Sequence, residues 1–180
     1  EEEYIGLIEP RGKFGLRAAG GSMGFGLPFG VGFALAKKLK KEEGKVCVLM
    51  SDGECQIGTF YESLLIARQH QLSNLIVFVD NNRLQATGRT KEILNIEPLD
   101  KRLEYFGWAV QRLDGHDFHQ IEKALENSSN NSPNILICDT IKGKGWKRAE
   151  DQLLYHYKNI TPEEYAEAIQ ELSLLPQESS

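Results

Sequence analysis

Three short and almost wholly apolar runs, KVCVLM (45–50), NLIVFV (74–79) and ILICDT (135–140), are separated by stretches with helical spacing. A strand covered on both faces shows no polar alternation, and a strand needs only four to eight residues, roughly, to do its work. The intervening segments supply the covers. GGSMGFGLPFGVGFALAKKLKK passes from a glycine-rich loop into a helix, where Gly30 and Gly32 would permit close backbone packing. TFYESLLIARQH (59–70), PLDKRLEYFG (98–107) and DFHQIEKALEN (117–127) have helical spacing, the second halted by Gly107. WAVQRL (108–113) is a further strand. Strands and helices that alternate in this way predict a three-layer, doubly wound parallel α/β sheet. SSNNSPN (128–134) is a surface loop by composition, and the stretch from KGKGW to YHYKN is irregular. Thr161-Pro162-Glu163-Glu164 then opens a last helix, with Thr as N-cap, Pro in the first turn and Glu164 closing a capping box. There is no internal repeat, and 180 residues suffice for one domain with a real core.

Composition excludes several classes of function. The net charge of −5 comes without a basic stripe, so neither nucleic acid nor an anionic membrane is an expected partner. No apolar run approaches the roughly 20 residues that span a bilayer. The three cysteines, Cys47, Cys55 and Cys138, are odd in number and have no CxxC spacing. They point to a reducing, cytoplasmic setting and away from a zinc site or disulfide framework. Cys47 and Cys138 are expected in buried strands as small apolar side chains.

Two of the apolar runs end abruptly, one in Ser51-Asp52-Gly53-Glu54 and the other in Asp80-Asn81-Asn82. In a doubly wound sheet, ligands gather beyond the carboxyl ends of the strands. An Asp carboxylate, an Asn amide oxygen and a backbone carbonyl are hard ligands, suited to Mg²⁺ or Ca²⁺. A glycine after the Asp lets the backbone approach a phosphate, and a helix from about residue 57 would aim its N–H groups the same way. A metal-bridged diphosphate satisfies all these features; the plainer alternative is that Asp52 and Asn82 are turn residues after strands. Gly24-Phe25-Gly26-Leu27-Pro28-Phe29-Gly30 is close to a dinucleotide fingerprint, but it has one residue too many and no clear strand before it.

SDGECQIG followed by VDNN resembles the thiamin diphosphate motif, GDG…N, of transketolases. GLRAAGGSMGFGLPFGVGFALA is similar to that family's glycine-rich segment, and NNRLQATGRTKEIL, EPLDKRLEYFGWAV, DGHDF and DTIKGKG follow in the family's order. The resemblance spans roughly residues 15–170. It implies the thiamin diphosphate-binding fold, a Mg (or Ca) ion, and transfer of a two-carbon ketol unit between sugar phosphates. It also implies roles for particular residues. Asp52, Asn82 and the Leu84 carbonyl match the metal ligands, and Gly53 and Asn82 match cofactor contacts. Gly21 and Met23 lie where the family touches the aminopyrimidine side, and Lys142 matches the lysine after the last strand. His156 falls where the family has a histidine near the diphosphate and the substrate hydroxyls, and so carries the catalytic expectation. Glu62 resembles an acid near the interface between subunits, although an exposed helix face accounts for it as well. His116 reads as a turn residue.

The sequence departs from the family at Ser51, where Gly is usual, at Phe25, where His or Gln is common, and at Ile57, where an acid often links two cofactors. Neither a GHxGG-type histidine segment nor the pyrimidine-binding domain with its activating glutamate has a counterpart. The expectation is a single diphosphate-binding domain that works with a partner chain carrying the pyrimidine-binding domain, in a homo- or hetero-oligomer. Two alternatives are the α subunit of a 2-oxo acid dehydrogenase or decarboxylase, and a degenerate binding domain without turnover.

Overall fold

The computed structural model describes residues 22–174. Helix α1 (Gly26–Lys40) leads to strand β1 (Val46–Ser51), and a 3₁₀ turn over Asp52–Gln56 connects β1 to α2 (Gly58–Gln69). Strand β2 (Leu75–Asn81) is followed by a small hairpin, β3 (Leu84–Gln85) and β4 (Gly88–Arg89), and by short helices α3 (Thr90–Ile93) and α4 (Leu99–Tyr105). The chain continues through β5 (Ala109–Asp114), α5 (Phe118–Glu126) and β6 (Asn134–Asp139) to α6 (Pro162–Ser173). Four strands form one sheet in the order β1-β2-β6-β5, and every pairing in it is parallel. Their ends coincide, with Ser51 opposite Asp80, Asn81 opposite Asp139, and Asp139 opposite Asp114. The order reverses between β2 and β6, which is the switch point where a crevice opens.

The larger core lies on one face. There Leu27, Val31 and Ala34 of α1, Phe60 and Leu64 of α2, and Leu99 and Leu103 of α4 pack on alternate strand residues such as Val48, Val77 and Ile137. The other face carries only α5 among the described helices, with Ile121 and Ala124 over Ile76, Leu136 and Cys138. Three layers follow from the strand period of two, which sends Val77 to one face and Ile76 to the other.

Close packing of α1 on the sheet depends on Gly30, since a Cβ there would lie 2.3 Å from Val48 Cγ2. Gly32 has open space around its Cα, so the expectation of a close approach holds for Gly30 alone. Gly107 stops α4 as expected, with a φ of +79° that L side chains rarely adopt. The Thr161–Glu164 capping box is present at the start of α6.

One expectation about β1 is corrected. The apolar run predicts cover on both faces with Cys47 buried, yet Cys47 is exposed and Leu49 is 74% exposed. The reason lies in the strand order. β1 is the edge strand beyond the reach of α5, and no described element lies over its second face. Cys138 is buried as expected, being on an inner strand. The β3–β4 hairpin, α3 and the two 3₁₀ turns were not foreseen. No helix among the described residues is long and apolar enough to cross a membrane.

Candidate functional site at the carboxyl edge of the sheet

β1 runs straight into the turn that holds Asp52. Ser51 has φ −87°, so its backbone does not need glycine and the Gly-to-Ser departure is harmless to the turn. Glu54 braces the turn by accepting the Ser51 N–H at 2.9 Å. Its other oxygen accepts the Gly24 N–H at 2.9 Å, and Thr59 Oγ1 donates to the Gly24 carbonyl at 2.7 Å. The end of the glycine-rich segment is thereby fastened to the acidic turn, 30 residues away in sequence.

Asp52 is 0% exposed. Its Oδ2 accepts the Arg83 N–H at 2.9 Å and the Thr90 hydroxyl at 2.8 Å, while its Oδ1 is buried without any partner. Burial pushes the carboxyl pKa up; hydrogen bonds from the Thr90 hydroxyl and the Arg83 N–H oppose this, and the nearby Asp80 charge adds to it. A buried carboxylate oxygen left unpaired costs on the order of 1–3 kcal/mol, a cost that a cation at that oxygen would remove. The donor set therefore suits a hard cation. Among the described residues no three or more His, Cys, Asp or Glu side chains group into a metal site. A site here would instead combine one carboxylate with amide and carbonyl oxygens, the mixture Mg²⁺ accepts when waters and phosphate complete its shell.

Gly53 is buried beside Asp52, under two side chains. A Cβ at Gly53 would lie 3.1 Å from Met23 Cε and 3.1 Å from Gln85 Cδ. Gln85 Nε2 is also buried without a partner. Met23, Gly53 and Gln85 thus meet around one spot that holds an unpaired polar group as well as a backbone free of any side chain.

Asn82 and Leu84 follow β2 directly. Asn82 Oδ1 accepts the Leu84 N–H at 2.9 Å, and Asn82 Nδ2 donates to Asp80 Oδ2 at 3.1 Å. Between them Arg83 adopts the left-handed conformation, φ +64°, which turns its N–H onto Asp52. For a non-glycine residue that conformation is held only when its surroundings over-determine it. The Arg83 guanidinium donates to Asp139 at 3.0 Å, as do Arg112 and the Asn81 amide, at 2.8 Å and 2.6 Å for their shortest contacts. Burial raises the Asp139 pKa, but these donors outweigh it and hold the carboxyl at about 2.

Lys142 and His156 both lie on the loops after β6, near enough for the Lys142 charge to act on the imidazole. The 3₁₀ turn Leu153–His156 packs against β3, and the His156 imidazole is exposed. Partial burial and the Lys142 cation beside it hold the His156 pKa below its ordinary value. His116 stays structural: its Nε2 accepts the Ile141 N–H at 2.8 Å and ties the turn after β5 to the loop that carries Lys142. Gly21 lies outside the described residues. Glu62 is exposed on α2, and Phe25 is 52% exposed.

Two cavities open at this edge. One, of about 440 Å³, is lined by Leu49, Ser51, Glu54, Phe78, Asp80 and Thr140 among others. The second, of about 450 Å³, has Asp52, Asn81, Arg83, Thr90 and Arg112 in its wall. Sequence reasoning missed Thr90, Gln85, Asp80 and Thr140. Asp80 stood inside a motif already singled out, whereas Thr90 is 38 residues from the carboxylate it contacts, with no local signal.

The family model for "Transketolase, thiamine diphosphate binding domain" matches residues 6–179. The chain belongs to the transketolase family. A transketolase family protein of Sinorhizobium fredii is 41% identical over 158 residues, covering 86% of this chain and 57% of that protein. One of the subunits of the apulose-4-phosphate transketolase of Phocaeicola vulgatus is 37% identical over 161 residues, covering 88% of this chain and 57% of the relative. The chain thus spans a little over half the length of these curated relatives. The crystal structure of the Campylobacter jejuni transketolase superposes with a TM-score of 0.82 at 30% identity, covering 88% of this chain and 27% of that one. The parallel α/β sheet is therefore the transketolase-type thiamin diphosphate-binding fold.

Proposed function

We propose that this chain is the diphosphate-holding part of a transketolase-like enzyme, which a partner chain completes. The assembled enzyme would transfer a two-carbon ketol unit between sugar phosphates. The observation that carries the reading is the buried Asp52 carboxylate with Oδ1 unpaired, next to a glycine that two side chains overhang. Asp52, the Asn82 amide oxygen and the Leu84 carbonyl would hold Mg²⁺, or Ca²⁺ in its place. Gly53 and Lys142 would face the diphosphate, with Gly21 and Met23 toward the aminopyrimidine. Thiamin diphosphate, when bound, supplies the nucleophilic carbon and the electron sink for breaking and making the carbon–carbon bond.

His156 has the properties for contact with substrate. Its ring is exposed, and its lowered pKa keeps it neutral near pH 7, able to accept a hydroxyl proton or to donate one. The Phocaeicola relative is named as one of the subunits of a transketolase, which supports the need for a partner that brings the pyrimidine-binding domain. Asp52→Ala tests the reading, because a methyl group cannot replace a hard anionic ligand. Calorimetry on the assembled enzyme is expected to show Mg²⁺-dependent thiamin diphosphate binding abolished. Undiminished affinity would sink the assignment.

A further inference from the structure

Asn82 can offer a cation either its oxygen or its NH₂ group, and only the first is of use. Nothing intrinsic to an asparagine decides between them. Asp80, two residues earlier on β2, decides it here. Asp80 Oδ2 lies 3.1 Å from Asn82 Nδ2, and Asp80 Oδ1 accepts a hydrogen bond from the Thr140 hydroxyl. Both Asp80 oxygens act as acceptors in these contacts, so the side of the amide that faces Asp80 is the NH₂. The oxygen is then turned the opposite way, where it accepts the Leu84 N–H and keeps a second lone pair. Thr140 is held in turn through its own N–H, which donates to the Asn81 carbonyl at 3.4 Å. A Cβ at Gly115 would lie 2.5 Å from Thr140 Cγ2, so the glycine is what leaves room for the threonine side chain.

We propose that Asp80, anchored by Thr140, is a positioning residue that fixes the Asn82 amide with its oxygen presented to the cation. This deepens the functional reading and rests on Asn82 being a ligand. The arrangement follows a general pattern in which groups bonded to a metal ligand set its orientation, and losing one lowers metal affinity about 10–100-fold. In Asp80→Asn the new amide can donate or accept, and only the Leu84 N–H still favours the oxygen-in orientation of the Asn82 amide.

The test uses the assembled enzyme and two readouts. The first is Mg²⁺ titration at saturating thiamin diphosphate, followed by calorimetry; Asp80→Asn is expected to weaken Mg²⁺ about 10–100-fold. The second is hydrogen exchange in the cofactor-free protein, where the Leu84 amide loses protection in Asp80→Asn. Thr140→Val leaves the Asp80 charge in place and removes only its anchor, so it weakens Mg²⁺ by a smaller factor, and Thr140→Ser restores it. Wild-type affinity in Asp80→Asn, while Asn82→Leu loses binding, would overturn the positioning role and leave the functional reading standing. So would a Thr140→Val protein that binds Mg²⁺ as the wild type does, since charge alone would then account for Asp80. Full affinity in Asn82→Leu would instead bring down the ligand assignment beneath both.

Discussion

A single carboxyl group concentrates the conflict between stability and binding in this molecule. The Asp52 pKa is raised in the fold, so its protonation favours folding. That contribution is fully present below the unfolded value of about 3.9 and is lost as pH climbs through the raised folded value. Ionised Asp52 in the cation-free protein is therefore a charge that the fold penalises. Asp52→Asn keeps an oxygen for the Arg83 and Thr90 donors and removes that charge. The cation-free variant is expected to gain about 1 kcal/mol at pH 7, seen as a higher Tm, whereas Mg²⁺ with thiamin diphosphate no longer raises its Tm. A lower Tm without the cation would contradict the account. As members of the candidate site, Asp52, Gly53 and Asn82 were legible in the sequence because each lies within three residues of the end of an apolar run. Gln85 and Thr90 were not, because their parts in the site depend on the β3–β4 hairpin bringing them back, and two-residue strands leave no periodic trace.

The inner strands were read correctly for a physical reason. β2 and β6 are inner strands buried on both faces, and continuous apolar runs mark that state. The same signature misled at β1, where an equally apolar run sits at the sheet edge. Composition cannot say which strand ends up at the edge, because strand order is a tertiary property. The two α1 glycines sharpen the point, since the sequence treated them alike. Gly30→Ala would place a methyl 2.3 Å from Val48 Cγ2 and is expected to cost about 1–3 kcal/mol by overpacking. Gly32→Ala meets nothing within 4 Å and should gain roughly 0.5–1 kcal/mol from helix propensity. Urea denaturation of the two variants checks both signs, and Val48→Ala should rescue Gly30→Ala if the clash is the cause.

At the level of the whole molecule, the proposed reading makes the carboxyl-edge site one wall of an active centre. Residues 1–180 alone are expected to give no ketol transfer, even with saturating thiamin diphosphate and Mg²⁺, because no segment resembles the domain that carries the activating glutamate. Phe25, Phe29 and Phe33 are each about half exposed along α1, so the isolated chain is also expected to self-associate. A ketol-transfer assay on a homogeneous preparation, with size-exclusion chromatography alongside, checks both expectations, and turnover without a partner would refute the first. The aligned strand ends carry a different kind of consequence. Each strand advances about 3.3 Å per residue and alternates faces, so one inserted residue in β1 would carry Asp52 past its Arg83 and Thr90 donors and turn it to the other side. The interval from Val46 to Asp52, and likewise from Leu75 to Asn82, is a fixed measure that length variation cannot enter. Length is free at exposed Asn130 and Asn131, between α5 and β6, where an added residue moves nothing at the opposite edge. In a lineage of such chains, insertions and deletions would collect at the amino end of the sheet, and the carboxyl end would keep its count.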